Sequence, residues 1–125
     1  MTKILVVEDN TNNLYLIRFI LKKYGFEVAE AITGEEGIVK AAEENPDLIL
    51  MDIQLPGIDG FEATRIIRKT EKISDIPIIA ITSYAMTGDR EKAMLAGCTG
   101  YIEKPIDPDK IISQITEFLK PGEKL

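Results

Sequence analysis

Residues 47–60 read Asp47-Leu48-Ile49-Leu50-Met51-Asp52-Ile53-Gln54-Leu55-Pro56-Gly57-Ile58-Asp59-Gly60. Residues 47–51 are an almost continuous apolar run, as expected of a parallel strand covered on both faces. The run ends on a carboxylate, Asp52, and then breaks at Pro56, Gly57 and Gly60, whose main use is loop geometry. An acid at the exit of a buried strand is the observation from which the fold and the chemistry are read.

The same pattern recurs on either side. Residues 3–7 (Lys-Ile-Leu-Val-Val) and 77–81 (Pro-Ile-Ile-Ala-Ile) are further buried-strand runs. Residues 26–30 alternate more and residues 100–102 are short, so these two read as the outer strands. Helical spacing fills the gaps. Residues 12–24 carry Leu14, Ile17, Leu21 and Tyr24 and stop at Gly25. Thr33-Gly34-Glu35-Glu36 has the form of a capping box, opening a helix to about Glu44. A third helix follows Gly60 with Phe61, Thr64, Ile67 and Arg68, and Arg65, Arg68, Lys69 and Lys72 read as its solvated face. A fourth, near Thr87 to Ala96, has few large apolar residues and is expected to be the least firmly packed. The last is capped by Asp107, with Pro108 in its first turn; Ile111, Ile112, Ile115 and Phe118 face inward, and Pro121-Gly122 ends it. The spacing predicts one α/β domain over residues 1–125, with its core at about 3–120 and a short tail at 121–125. Its sheet has five parallel strands in the order 2-1-3-4-5, flanked by five helices, the doubly wound flavodoxin-like arrangement.

Composition narrows the chemistry. The 125 residues include 15 Lys and Arg against 21 Asp and Glu, a net charge of −6, with no histidine and one cysteine. No histidine means no in-chain Ser-His-Asp or Cys-His catalysis and no histidine-ligated metal. Cys98 alone excludes an internal disulfide and reads as a buried small residue. No apolar run approaches the roughly 20 residues that span a bilayer, and the start lacks a signal-peptide core, so a cytoplasmic protein without membrane insertion is expected. The acidic balance argues against direct nucleic-acid binding. Met1 and the polar end Pro-Gly-Glu-Lys-Leu fit a complete short protein.

The polar residues fall in one place. The first predicted strand runs into Glu8-Asp9, the third into Asp52, the fourth into Thr82-Ser83, and Lys104-Pro105 follows the fifth. In an open parallel sheet these carboxyl ends line one edge, and ligands bind where the winding reverses. Three clustered carboxylates call for raised pKa values or a cation. Oxygen-only ligands point to a hard ion, and Mg²⁺ suits a site with few protein ligands. A carboxylate can attack phosphorus if the charge on the transferred oxygens is neutralised. Lys104 and a hydrogen bond from Thr82 would serve that end.

These stretches resemble the response-regulator receiver domain of two-component signalling. The resemblance covers about residues 3–120 and is carried by Val-Val-Glu8-Asp9-Asn10, by Leu-Ile-Leu-Met-Asp52 through Gly60, by Ile-Ala-Ile-Thr82-Ser83-Tyr84-Ala85, and by Gly-Tyr101-Ile-Glu-Lys104-Pro105. Glu8-Asp9-Asn10 with Asn13, and Lys104-Pro105-Ile106, are most similar to stand-alone and hybrid-kinase receivers, among them small cell-cycle regulators of the DivK type. The resemblance implies that Asp52 accepts phosphate from a sensor histidine kinase or a histidine phosphotransfer protein. It implies that Asp9, Asp52 and the Gln54 backbone carbonyl bind Mg²⁺, with Glu8 acting through water, where the family often has Asp. It makes Thr82 and Tyr101 the switch pair, Gln54 and Tyr84 the residues that tune phosphate lifetime, and Pro105 the site of a cis bond. The fourth helix, fifth strand and fifth helix become the surface read by a downstream protein. Such a chain catalyses its own phosphorylation and slow hydrolysis without being an enzyme with a separate substrate.

Three rivals stand beside this reading. An aspartate-nucleophile phosphohydrolase shares the metal and lysine chemistry, but usually has Asp-x-Asp after its first strand and a cap domain. A flavin carrier on the same fold needs a Ser/Thr/Gly-rich phosphate loop where this chain has carboxylates. A phosphorylation-independent interaction module would make the acceptor set idle.

Overall fold

A computed structural model describes residues 2–83 and 88–119. In chain order the elements are β1 (Lys3–Val7), α1 (Thr11–Lys23), β2 (Glu27–Ala31), α2 (Gly34–Glu44), β3 (Leu48–Asp52), α3 (Gly60–Lys69), a 3₁₀ turn (Glu71–Ile73), β4 (Ile78–Thr82), α4 (Asp89–Ala96), β5 (Gly100–Glu103) and α5 (Pro108–Phe118). All strand pairs are parallel and the order is β2-β1-β3-β4-β5, as expected, with the two less apolar strands at the edges.

Side chains alternate across the sheet and build two cores. Ile4, Val6, Leu48, Leu50, Ile79 and Ile81 meet α1 and α5 through Leu14, Ile17, Leu21, Ile111 and Ile115. Leu5, Val7, Ile49, Met51, Ile78 and Ala80 face the other layer and meet Ala41, Ala63, Ile67 and Ala93. Each such aliphatic side chain contributes roughly 1.5–3 kcal/mol by leaving water. Because β1, β3 and β4 are covered on both sides, their register cannot slip without exposing a whole core face.

The helix ends follow local chemistry. Asn10, Thr33, Asp59 and Asp107 cap α1, α2, α3 and α5 by accepting from the N–H groups of Asn13, Glu36, Glu62 and Asp109. At α2 the reciprocal arm of the box comes from one residue further back: Glu36 Oε1 accepts from Ile32 N at 2.6 Å.

Several expectations are corrected. β2, β3 and β4 each lie one residue later than their apolar runs, so Asp52 and Thr82 are the last residues of their strands rather than the first beyond them. Tyr24 caps the carboxyl end of α1 and is 42% exposed, because the helix ends before its ring can turn inward. Lys72 belongs to the 3₁₀ turn. Arg68 is not on a solvated face: its guanidinium donates to the carbonyls of Gly97, Ser74 and Ile76 at 2.8, 3.0 and 2.6 Å. α4 begins at Asp89 among the described residues; the expected start at Thr87, like Tyr84, Ala85 and the tail from Pro121, lies outside them. Its sparse packing is as expected, with Ala93 and Ala96 buried and Leu95 88% exposed.

Candidate functional site

The carboxyl edge of the sheet gathers the chemistry. Glu8 follows β1, and its N–H bonds to the Ala31 carbonyl at 3.0 Å, continuing the ladder toward β2. Its side chain is 1% exposed, and Oε2 accepts from the Asn10 N–H at 3.1 Å. Asp9, the next residue, faces solvent. Asp52 is 2% exposed and doubly held: Oδ1 accepts from Gln54 N–H at 2.9 Å, Oδ2 from Lys104 Nζ at 3.0 Å. The sheet thus fixes the Asp52 backbone, while the following turn and the far strand fix its carboxylate.

Lys104 is pinned from behind. Its N–H donates to the Thr82 carbonyl at 2.7 Å, and the Lys104–Pro105 peptide is cis, as the resemblance implies. Nζ lies 2.9 Å from Glu8 Oε1 and so bridges the two buried carboxylates. Glu8 Oε1 is the one buried side-chain oxygen among the described residues without a hydrogen-bond partner.

Electrostatics follow from this crowding. Burial, and then the neighbouring Asp52, push the Glu8 carboxyl up to about 7, with Lys104 and the Asn10 N–H pulling the other way. Burial opposes the Lys104 charge, but the adjacent Glu8 carboxylate and the field of Asp52 outweigh it and raise its pKa. One ligand oxygen from each of Glu8, Asp9 and Asp52 lies within 4.8 Å of the others. The all-oxygen set and the orphaned Glu8 oxygen fit a hard divalent cation.

The turn after β3 is shaped by two glycines. Gly57 has φ +76°, a left-handed conformation that favours glycine, and Pro56 before it is exposed. At Gly60 the reason is contact: a Cβ there would stand 2.3 Å from the Asp52 carbonyl oxygen and 2.8 Å from Ile53 Cα. Only glycine lets the start of α3 approach the acid-bearing strand end. Gln54 is exposed on this turn, so its backbone reaches the site while its side chain does not enter the core.

Thr82 is 1% exposed and ends β4 on the same face as Ala80. Ala80 pairs with Tyr101 of β5, whose half-buried ring packs on that same core. Burial, then Asp89 and Glu103, raise the Tyr101 hydroxyl pKa against the influence of Arg90. A groove of about 550 Å³ runs beside Tyr101, Lys104 and Pro105 to Arg90 on α4 and Gln114 on α5.

The edge therefore brings together Glu8, Asp9, Asp52 and Lys104 directly, with Gln54, Thr82 and Tyr101 on adjoining positions. What sequence reasoning missed is the buried Glu8–Lys104 pair. Its signal was the position of Glu8 straight after four buried residues.

Comparison with known proteins agrees with this geometry. The sequence profile of the response regulator receiver domain matches residues 4–116. The polar-differentiation response regulator DivK of Brucella ovis is 42% identical over 120 residues, covering 95% of this chain and 98% of its own. The receiver domain of the sensor histidine kinase PA1611 from Pseudomonas aeruginosa, solved with a magnesium ion coordinated in its active-site cleft, is 37% identical with a TM-score of 0.88, covering 94% of this chain and 96% of its own. A co-crystal structure of the Saccharomyces cerevisiae histidine phosphotransfer protein Ypd1 and the receiver domain of Ssk1 matches at 32% identity and a TM-score of 0.87, over 94% of this chain and 88% of the matched one. Among the described residues no helix is long and apolar enough to cross a membrane. The chain belongs to the response-regulator receiver domain family, is closely related to DivK-type regulators, and works by accepting a phosphoryl group rather than by turning over a separate substrate.

Proposed function

We propose that Asp52 is the phosphoacceptor, that Glu8, Asp9, Asp52 and the Gln54 carbonyl hold Mg²⁺, and that the donor is a phosphohistidine on a separate protein. The observation that carries this is the pair of bonds on Asp52: both carboxylate oxygens are held, yet the solvent-facing Asp9 opens the cluster to a partner. The absence of histidine from the chain means that a histidine donor must come from outside. The magnesium of the PA1611 receiver and the Ypd1 partner of Ssk1 support the ion and the class of donor.

In the transfer, one Asp52 oxygen forms a bond to phosphorus as the phosphorus–nitrogen bond of the donor breaks, and the imidazole leaves with its electron pair. Bound Mg²⁺ supplies neutralisation of charge on the transferred oxygens. Lys104 exchanges part of its contact with Asp52 for a phosphoryl oxygen and keeps Glu8 paired. The Thr82 hydroxyl donates to another. About −1.5 to −2 charges arrive on one side chain at a sheet edge. That charge draws Thr82 inward, and Tyr101 turns into the space beside it. Residues 4–116 are the receiver unit, so within this sequence the message leaves through a surface: α4, β5 and α5, where α4 buries only two alanines. A downstream protein would read that surface.

Incubation with acetyl phosphate and Mg²⁺ tests the acceptor. Wild type should gain an acid-labile phosphate that hydroxylamine removes, and Asp52→Asn should gain none. Equal labelling of both proteins would refute the assignment.

A further inference from the structure

We propose that Arg68 is the fixed pivot of the α4 response, holding the carboxyl end of that helix while its amino end moves; this rests on the reading of α4 as part of the responding surface. Arg68 stands in the last turn of α3 and belongs to no part of the phosphoryl site. Its Nε donates to the Gly97 carbonyl at 2.8 Å, Gly97 being the residue that caps α4. Nη1 donates to the Ser74 and Ile76 carbonyls at 3.0 and 2.6 Å, and Nη2 reaches Thr99 Oγ1 at 3.4 Å. One planar cation thus ties α3, the segment entering β4 and the turn from α4 into β5. It also places positive charge at the negative end of the α4 dipole.

Among the described residues, the opposite end of α4 has nothing comparable. Its cap is Gly88, which offers no side-chain hydrogen bond to the first turn. Between the ends only Ala93 and Ala96 are buried, with Met94 and Leu95 exposed. A short helix gripped at one end and lightly packed along its length tilts about the grip. Thr99, which Arg68 also reaches, is itself tied to the start of β4: its N–H donates to the Ile78 carbonyl at 2.6 Å, and its Oγ1 accepts from Ile78 N at 3.2 Å.

The two ends carry separate reporters. The Lys92 N–H bonds to Gly88 at the amino end, and the Cys98 N–H bonds to Ala93 at the carboxyl end. Amide exchange and chemical shifts of both are followed by NMR, with and without beryllofluoride and Mg²⁺, in wild type, Arg68→Met and Arg68→Lys. Wild type should change at Lys92 and hold at Cys98. Arg68→Met should exchange Cys98 about tenfold faster and spread the beryllofluoride change to it. Arg68→Lys, which keeps one cationic donor, should fall between. Equal changes at both ends of wild type, or a wild-type pattern in both variants, would overturn the pivot alone. No change at either end, with beryllofluoride shown bound by its fluorine signal and absent from Asp52→Asn, would overturn the reading of α4 and the pivot with it.

Discussion

At the scale of single residues the site turns on Glu8, which is buried beside Asp52 with a carboxyl raised to about 7. A carboxyl raised on folding contributes its stability fully below its ordinary value near 4.5 and loses it as pH climbs through about 7. The metal-free protein should therefore unfold more readily at about pH 8 than at about pH 5, by on the order of 1–3 kcal/mol, and Glu8→Gln should flatten that slope in denaturant titrations. The same proton competes with the cation. Mg²⁺ affinity measured by calorimetry should fall as pH drops below 7, approaching about tenfold per unit, and the variant should lose most of the dependence. The presence of an acid at Glu8 was legible in the chain. Its burial and its bridge through Lys104 were not, since both depend on Lys104 arriving from a strand about a hundred residues away.

Elements explain why those residues hold still. The turn from β3 into α3 works only because Gly60 lets the helix start touch the Asp52 backbone. Gly60→Ala should destabilise by about 3 kcal/mol or more, as overpacking against backbone cannot relax, and should slow phosphorylation by displacing Asp52. Gly57→Ala should cost only about 1–2 kcal/mol, the penalty of a left-handed residue, because its neighbour is the mobile end of Glu35. Thermal unfolding and acetyl phosphate labelling of the two variants separate these outcomes. Elements were also where sequence reading stood firmest. Apolar patterning and capping residues placed all five strands and the starts of α1, α2, α3 and α5 within a residue or two. Arg68 and Tyr24 escaped it for one reason: helical spacing says which residues share a face, but not that the α4–β5 turn lies over the end of α3, nor that α1 stops a residue short.

For the molecule as a whole, the order β2-β1-β3-β4-β5 is what turns four strand exits into one site. A ligand that binds only the folded edge stabilises the entire cooperative unit. Mg²⁺ at a hundred times its dissociation constant should add about 2.7 kcal/mol, raising the unfolding midpoint in calorimetry, and the gain should vanish in Asp9→Asn. Chelation before exposure to acetyl phosphate should abolish labelling without unfolding the chain. The alternation of strands and helices pointed to a doubly wound parallel sheet, and the less apolar second and fifth runs marked its edges, in keeping with the order 2-1-3-4-5. The placing of Thr82 and Tyr101 on one face of paired strands could not be read from apolar patterning, because both are ordinary core-facing positions until β4 and β5 are paired.

Every role proposed at the sheet edge depends on which side chain carries the phosphoryl group. Borohydride reduction of the phosphorylated chain converts an aspartyl phosphate to homoserine, and peptide mass spectrometry locates it. A single homoserine at position 52 is expected; modification at any other acid, with Asp52 unchanged, would refute Asp52 as the phosphoacceptor.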